Sequence, residues 1–147
     1  MAFKTVVANS FLEQVLDSVR HMTAKNGPFA LVMLLPSESG LPNKWNLVVS
    51  AKWIDDSGLQ AAIPTVSSSL REHLSKLNAK KIERISVLST TDSLVQDLKL
   101  LDIQPGTAYQ VQTFALTARG IGEAIILAAQ QPRSSSARQL QTVRTRA

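Results

Sequence analysis

The sequence predicts a single α+β domain with a largely antiparallel sheet of about six strands and helices packed on one face of that sheet. Two observations indicate this fold. Apolar residues recur at every third or fourth position in three segments, which predicts amphipathic helices, and short apolar or alternating runs between them predict strands. The predicted order is α-β-β-β-α-β-α-β-β, and a length of 147 residues is typical of one domain.

The first helix begins near Ser10, because Ser10 and Glu13 have the spacing of a capping box. Gly27 and Pro28 are typical of a helix end. The apolar positions between these signals recur at three and four residues: Phe11, Leu12, Val15, Leu16, Val19 and Met22. One face of this helix is therefore predicted to pack on the core.

Two strands are predicted next. The short apolar run 29–35 lies between prolines and is typical of a buried strand. Residues 44–53 alternate between apolar and polar side chains, which predicts a strand with Trp45 and Trp53 toward the core and Lys44 and Lys52 toward solvent.

A turn and a third strand follow in this prediction. Asp55, Asp56 and Gly58 have turn chemistry, so we interpret the two adjacent acids as turn residues rather than as magnesium ligands. Residues 59–63 are predicted to pair back as a short strand that ends at Pro64.

The second half of the domain repeats the alternation of helix and strand. A helix beginning at Thr65 or within 67–69 has an apolar stripe of Val66, Leu70, Leu74 and Leu77. A strand over 82–89, a helix capped by Thr91 or Asp92, and a tight turn over 104–107 come next. Residues 109–118 and 123–130 are predicted as the last strands, although alanine and glutamate leave a helix open for 123–130.

Positive charge is concentrated in two places. Residues 1–131 are predicted to fold, whereas residues 132–147 lack apolar periodicity and are predicted to be a disordered basic tail. The tail holds four arginines without an acidic residue, out of a net charge of +5 for the chain. A second basic cluster spans 71–84. Together they form the candidate contacts for an anion or a nucleic acid: Arg71, Lys76, Lys80, Lys81, Arg84, Arg133, Arg138, Arg144 and Arg146.

The sequence contains no recognisable catalytic, cofactor or metal signature, so none of these sites is predicted. There are no cysteines, and His21 and His73 lack a second histidine at metal-binding spacing. We interpret His21 as the surface partner of Asp17, one helical turn away, and His73 as a half-buried side chain at the edge of an apolar stripe. The fragment Gly120-Ile121-Gly122 precedes a predicted strand rather than a helix, so no phosphate-binding loop is expected there.

These observations favour a non-enzymatic binding or assembly module that associates with a protein partner or with itself. The alternative is a nucleic-acid-binding protein that uses the cluster at 71–84 and the tail at 133–147. A third hypothesis is an enzyme of unrecognised type with His73, Arg119 and Glu123 as its polar candidates. No apolar run reaches the roughly 20 residues that span a bilayer, and the lack of cysteine is typical of the reducing cytoplasm.

Overall fold

The computed structural model describes residues 2–5 and 9–130, which contain one mixed sheet of six strands. The strands are β1 (Ala2–Thr5), β2 (Leu31–Pro36), β3 (Trp45–Ser50), β4 (Ile82–Val87), β5 (Tyr109–Gln112) and β6 (Ala124–Ala129). Their order across the sheet is β1-β5-β6-β2-β3-β4, and every neighbouring pair is antiparallel except β3 and β4. The predicted α+β class and largely antiparallel sheet are confirmed. The predicted tail, 132–147, lies outside the described residues.

Two long helices and several short ones surround the sheet. They are α1 (Ser10–Asn26), α2 (Lys52–Ser57), α3 (Leu59–His73), α4 (Lys76–Ala79), α5 (Ser93–Leu98) and α6 (Phe114–Ala118), with a 3₁₀ turn at Lys99–Leu101. Helices α2 to α4 form the crossover connection that the parallel pair β3 and β4 requires. In the described part of the chain, no helix is both long and apolar enough to cross a membrane.

Strand β2 lies in the centre of the molecule and is covered on both sides. Val32 and Leu34 pack in the apolar cluster formed with α1 and α3, whereas Leu31 and Met33 pack in a second cluster that includes residues of α5 and α6. A strand that is buried on both faces has a continuous apolar sequence, as 31–34 has. The prediction that helices occupy only one face is therefore wrong.

Helices α1 and α3 pack against each other as well as against the sheet. Their interface contains a buried hydrogen bond between the hydroxyl groups of Ser18 and Ser69, with the two oxygens 2.8 Å apart. The apolar faces of both helices join the larger core cluster, in which Val15 and Val66 are fully buried. This interface brings together residues that are about fifty positions apart in the sequence.

The predicted strand over 44–53 is too long. Strand β3 ends at Ser50, and the amides of Ile54 and Asp55 donate to the carbonyl of Ala51 as α2 begins. Trp53 therefore belongs to a helix, where its ring meets Phe29 edge-on at 5.4 Å between centroids. Ala51 and Trp53 are apolar because the start of α2 packs on the core, and not because the strand continues.

The predicted strand over 59–63 is also wrong, because these residues form the first turns of α3. Ala62, Val66 and Leu70 are buried at a spacing of four, and this helical burial outweighs the breaking tendency of Pro64 inside the helix. The helix ends at His73, whereas the predicted apolar stripe continued through Leu74 to Leu77. Leu77 lies in the separate helix α4 and is 73% exposed.

Two further differences concern the outer strands. β5 ends at Gln112, where the side chain of Thr113 accepts from the amide of Leu116 and starts α6, so the predicted strand over 109–118 is half helical. Strand β1, which pairs with β5, was not predicted. The predicted strands over 29–35, 82–89 and 123–130 are confirmed with shifts of one or two residues at their ends.

The capping and turn predictions are partly corrected. Asn9, not Ser10, caps α1, since its side chain accepts from the amide of Leu12 at 2.9 Å. Asp92 caps α5 as expected. Asp55 and Asp56 lie inside α2 rather than in a turn, and the Asp55 carboxylate accepts from the amide and the hydroxyl of Thr90. That contact fixes the segment after β4.

Gly27 joins α1 to the core at a position that excludes a side chain. Its φ of 126° is one that L residues rarely adopt, and an added Cβ would lie 3.2 Å from Cδ1 of Trp53. Backbone strain of this kind costs on the order of 1–3 kcal/mol. Gly122 offers a contrast, because its φ lies outside the positive range and no atom would lie within 4 Å of its added Cβ.

We expect Gly27→Ala to lower the free energy of unfolding by about 1–3 kcal/mol, because it combines a strained φ with a close approach to Trp53. Gly122→Ala is the matched control and should change stability by less than about 0.5 kcal/mol. Urea denaturation followed by tryptophan fluorescence measures both. Equal effects of the two substitutions would contradict this account of Gly27.

Candidate functional site

The two faces of the sheet are covered to different extents. Helix α1 has 17 residues and α3 has 15, so each is about 22–26 Å long at 1.5 Å per residue. On the other face, α5 has six residues and α6 has five, giving lengths of about 7–9 Å. Six strands about 4.8 Å apart span roughly 24 Å. The short helices therefore leave part of the second face open.

A cleft of about 680 Å³ occupies this open area above β3 and β4. Its floor contains the apolar side chains of Leu35 and Val48 and the polar side chains of Asn46 and Ser86. The segment 119–123, between α6 and β6, lines it as well, together with Arg84 and Glu38. The volume lies within the range of about 300–1,000 Å³ that is common for ligand sites. This cleft is the candidate functional site.

Arg119 is held in place at the rim of the cleft by three acceptors. Its guanidinium donates to the carbonyl of Ala115 at 2.8 Å, the hydroxyl of Ser93 at 3.0 Å and the carboxylate of Asp97 at 3.1 Å. The side chain is 30% exposed. These bonds join α5 to the end of α6 and orient residues 120–123, which follow. Arg119 therefore holds the rim of the cleft in position.

Arg84 differs from Arg119 because it is bound loosely. Among the described residues it forms one ion pair, to Glu38 at 3.2 Å, and the two side chains are 61% and 83% exposed. Exposed pairs of this kind contribute about 0–1 kcal/mol, so an incoming anion can replace Glu38 at small cost. Glu83, the neighbour of Arg84, accepts a hydrogen bond from Ser37. Arg84 is the accessible cation of the cleft.

The basic cluster predicted over 71–84 is divided by the sheet. Ile82, Ile85 and Val87 of β4 pack toward α1 and α3, whereas Arg84 lines the cleft on the opposite face. A register shift in the pairing of β3 with β4 places Glu83 as the extra residue beside Arg84. Arg84 is therefore separated from the lysines before β4.

The remaining residues of the cluster lie on the side of α3 and α4. Arg71 donates to the hydroxyls of Ser67 and Ser68 on its own helix. Lys80 and Lys81 follow α4, and Lys44 approaches them, since its Nζ donates to the carbonyl of Lys80 at 2.8 Å. The Nζ of Lys81 lies 5.6 Å from the ring centroid of Phe11. Arg133, Arg138, Arg144 and Arg146 lie outside the described residues.

The polar trio predicted for an enzyme does not come together. Arg119 and Glu123 both line the cleft, and Glu123 accepts a hydrogen bond from Gln110. His73 lies at the end of α3, which packs on the opposite face of the sheet. The structure therefore gives the cleft two of the three candidates, and they are held by other partners.

The histidine predictions are corrected in one respect. Asp17 pairs with Arg20 at 2.6 Å rather than with His21. His73 is half-buried, as predicted. The two rings lie 5.0 Å apart between centroids, a juxtaposition that spacing within one helix does not indicate. Within residues 2–5 and 9–130, no group of three or more histidine, aspartate or glutamate side chains is arranged to hold a metal ion.

Sequence reasoning missed the cleft itself. Its floor was recognisable in part, because the alternation predicted over 44–53 puts Asn46 and Val48 on the same face as Lys44 and opposite Trp45. The contribution of 119–123 depends on α6, which was predicted as strand. Comparisons with family models, curated proteins and solved structures return no significant match.

We expect Arg119→Ala to lower the free energy of unfolding by about 1 kcal/mol or more, because it leaves three acceptors without their donor. Arg20→Ala is the control, since Arg20 makes one exposed pair with Asp17 and should contribute less than about 0.5 kcal/mol. Thermal unfolding monitored by circular dichroism compares them. Equal losses would show that Arg119 is an ordinary surface side chain.

Proposed function

We propose that this protein is a non-enzymatic binding module whose ligand is an extended peptide segment of a protein partner. The segment pairs with the free edge of β4 and places an acidic side chain on Arg84, with its apolar side chains in the cleft. The observation that carries this proposal is the position of the half-covered sheet face next to an edge strand.

The edge of β4 supports strand addition. The amide of Leu88 donates to the carbonyl of Val49, and backbone groups alternate in direction along a strand. The N–H and C=O groups of Ser86 therefore point toward β3, whereas those of Ile85 and Val87 point outward. Among the described residues, no partner bonds these outward groups. Added peptides gain affinity from such main-chain hydrogen bonds.

The chemistry of the cleft supports selection of the peptide side chains. Leu35, Val48 and Ile121 offer apolar contacts, and Asn46 and Ser86 offer hydrogen-bonding groups. Arg84 supplies a guanidinium whose present partner, Glu38, is exposed and exchangeable. A carboxylate on the peptide would receive a charge-assisted hydrogen bond from Arg84. This arrangement favours acidic peptides over basic ones.

Self-association through the same edge is a variant of this proposal, in which the added strand comes from a second copy. Light scattering separates the two variants, since a monomer that still binds the peptide indicates a different protein as partner.

We propose that the interaction takes place in the cytoplasm, because a chain without cysteine suits a reducing compartment.

Nucleic acid is the second candidate. It is supported by the proximity of Lys44 to Lys80 and Lys81, which adds a lysine to the predicted cluster. We rank it second because Arg84 lies on the other face of the sheet, and because the aromatic side chains next to these lysines are buried, as Phe11 is, or half-buried, as Trp45 is. Binding of this kind would weaken steeply with salt and would depend on Lys80 and Lys81 rather than on Arg84.

A library of random linear peptides tests the proposed function. We expect selection against the purified protein to enrich acidic sequences with alternating apolar residues. Arg84→Glu should weaken the selected peptides by about tenfold or more, a change of roughly 1.4 kcal/mol. Val87→Pro should weaken them too, because proline removes an outward N–H and leaves the β3–β4 bonds in place. Fluorescence polarisation of labelled peptides measures both effects.

Arg71→Glu is the matched control, because it makes the same charge change on an exposed arginine of α3. Its affinity for the selected peptides should equal that of the wild type. Selection without enrichment, or peptides that bind Arg84→Glu as tightly as Arg71→Glu, would overturn the assignment of the cleft.

A further inference from the structure

The two histidines of the chain lie close together on the face of the sheet that α1 and α3 cover, which is opposite the cleft. His21 lies on α1 and His73 on α3, and their ring centroids are 5.0 Å apart with an interplanar angle of 45°. The helices that carry them are already fixed to each other by the buried Ser18–Ser69 hydrogen bond. The pair is thus supported by a packed interface.

A hydrogen bond to Ser69 selects the tautomer of the neutral His73 ring. Nδ1 lies 2.8 Å from the carbonyl oxygen of Ser69, and a carbonyl can only accept. In the neutral ring, Nδ1 therefore carries the proton and Nε2 has a free lone pair. Histidine ligands of metal ions commonly donate their other ring N–H to a backbone carbonyl in this way. His73 has the tautomer that a metal ligand needs.

A second cavity reaches one member of the pair. It has a volume of about 310 Å³ between α1 and α3, and its lining includes His21 and Glu72, the neighbour of His73, whereas His73 itself is not part of the lining. An ion and its water ligands fit in such a space. The charged groups around it have both signs, because Lys25 and Glu72 line the same cavity and Asp17 is paired with Arg20 on the neighbouring surface of α1.

We propose that His21 and His73 form a two-histidine site for a divalent transition-metal ion of the zinc type. Two imidazoles bound to one tetrahedral zinc at about 2.0–2.1 Å have centroids roughly 5 Å apart, which matches the spacing of this pair. The site is open, because within the described residues no third histidine or carboxylate completes a cluster. Water fills the other positions, so the affinity is lower than that of closed structural zinc sites.

Such an ion would act as a clamp between α1 and α3. Both ligands exist in position only in the folded protein, so the bound ion stabilises the fold by RT ln(1 + [ion]/Kd), which grows with the logarithm of the ion concentration above the dissociation constant. The clamp is independent of the peptide cleft on the opposite face.

Calorimetric titration of the full chain with Zn²⁺ at pH 7.5 tests the proposal, with Mg²⁺ as the control ion because it prefers oxygen ligands. We expect saturable binding of one Zn²⁺ and a rise in the thermal midpoint as Zn²⁺ increases. His21→Ala and His73→Ala should each weaken binding by about tenfold or more. In NMR spectra, the ring protons of both histidines should shift together with Zn²⁺ and remain unchanged with Mg²⁺.

Absence of saturable Zn²⁺ binding would overturn the proposal, as would alanine variants that bind Zn²⁺ like the wild type. Glu72→Gln provides a further control, because it alters the charge of the cavity and leaves both imidazoles in place. Its Zn²⁺ affinity should fall less than that of either histidine variant. His21 is exposed, so His21→Ala should unfold at the wild-type temperature when no metal is present.

Discussion

The burial of β2 on both faces is the constraint on which the rest of the structure depends. Residues 31–34 have almost no exposed surface, so apolar layers must exist above and below the strand. The long helices α1 and α3 meet this requirement on one face. On the other face α5 and α6 cover the centre of the sheet but are too short to reach across it. The open cleft is a direct consequence of this difference in helix length.

The two faces also differ in how they use polar groups. On the face covered by α1 and α3, the Ser18–Ser69 hydrogen bond joins the two helices, and the histidine pair lies at the same interface. On the second face, Arg119 fixes the rim by bonding to α5 and α6, whereas Arg84 remains exposed with one exchangeable partner. A fixed rim beside an accessible cation supports the proposed function, which rests on the position of this half-covered face next to an edge strand.

The sequence predicted the class and most of the elements, because long helical stripes and buried strands leave clear periodicity. It failed at 59–63, where a short, mostly apolar segment before Pro64 does not distinguish a strand from the start of a helix. It failed at Trp53 because the apolar alternation of β3 continues through Ala51 and Trp53 into α2. The position of Arg84 depends on a register shift at Glu83, and the histidine pair depends on the α1–α3 contact. Neither is encoded in local spacing.

The central claim is that β4 is a free edge beside an open cleft, and amide hydrogen exchange at single-residue resolution tests it most directly. In the dilute protein without ligand, Ser86 and Leu88 should be protected because their amides point toward β3. Ile85 and Val87 should exchange much faster because theirs point outward. Equal protection of all four amides in a monomeric sample would mean that the edge is covered and would contradict this account.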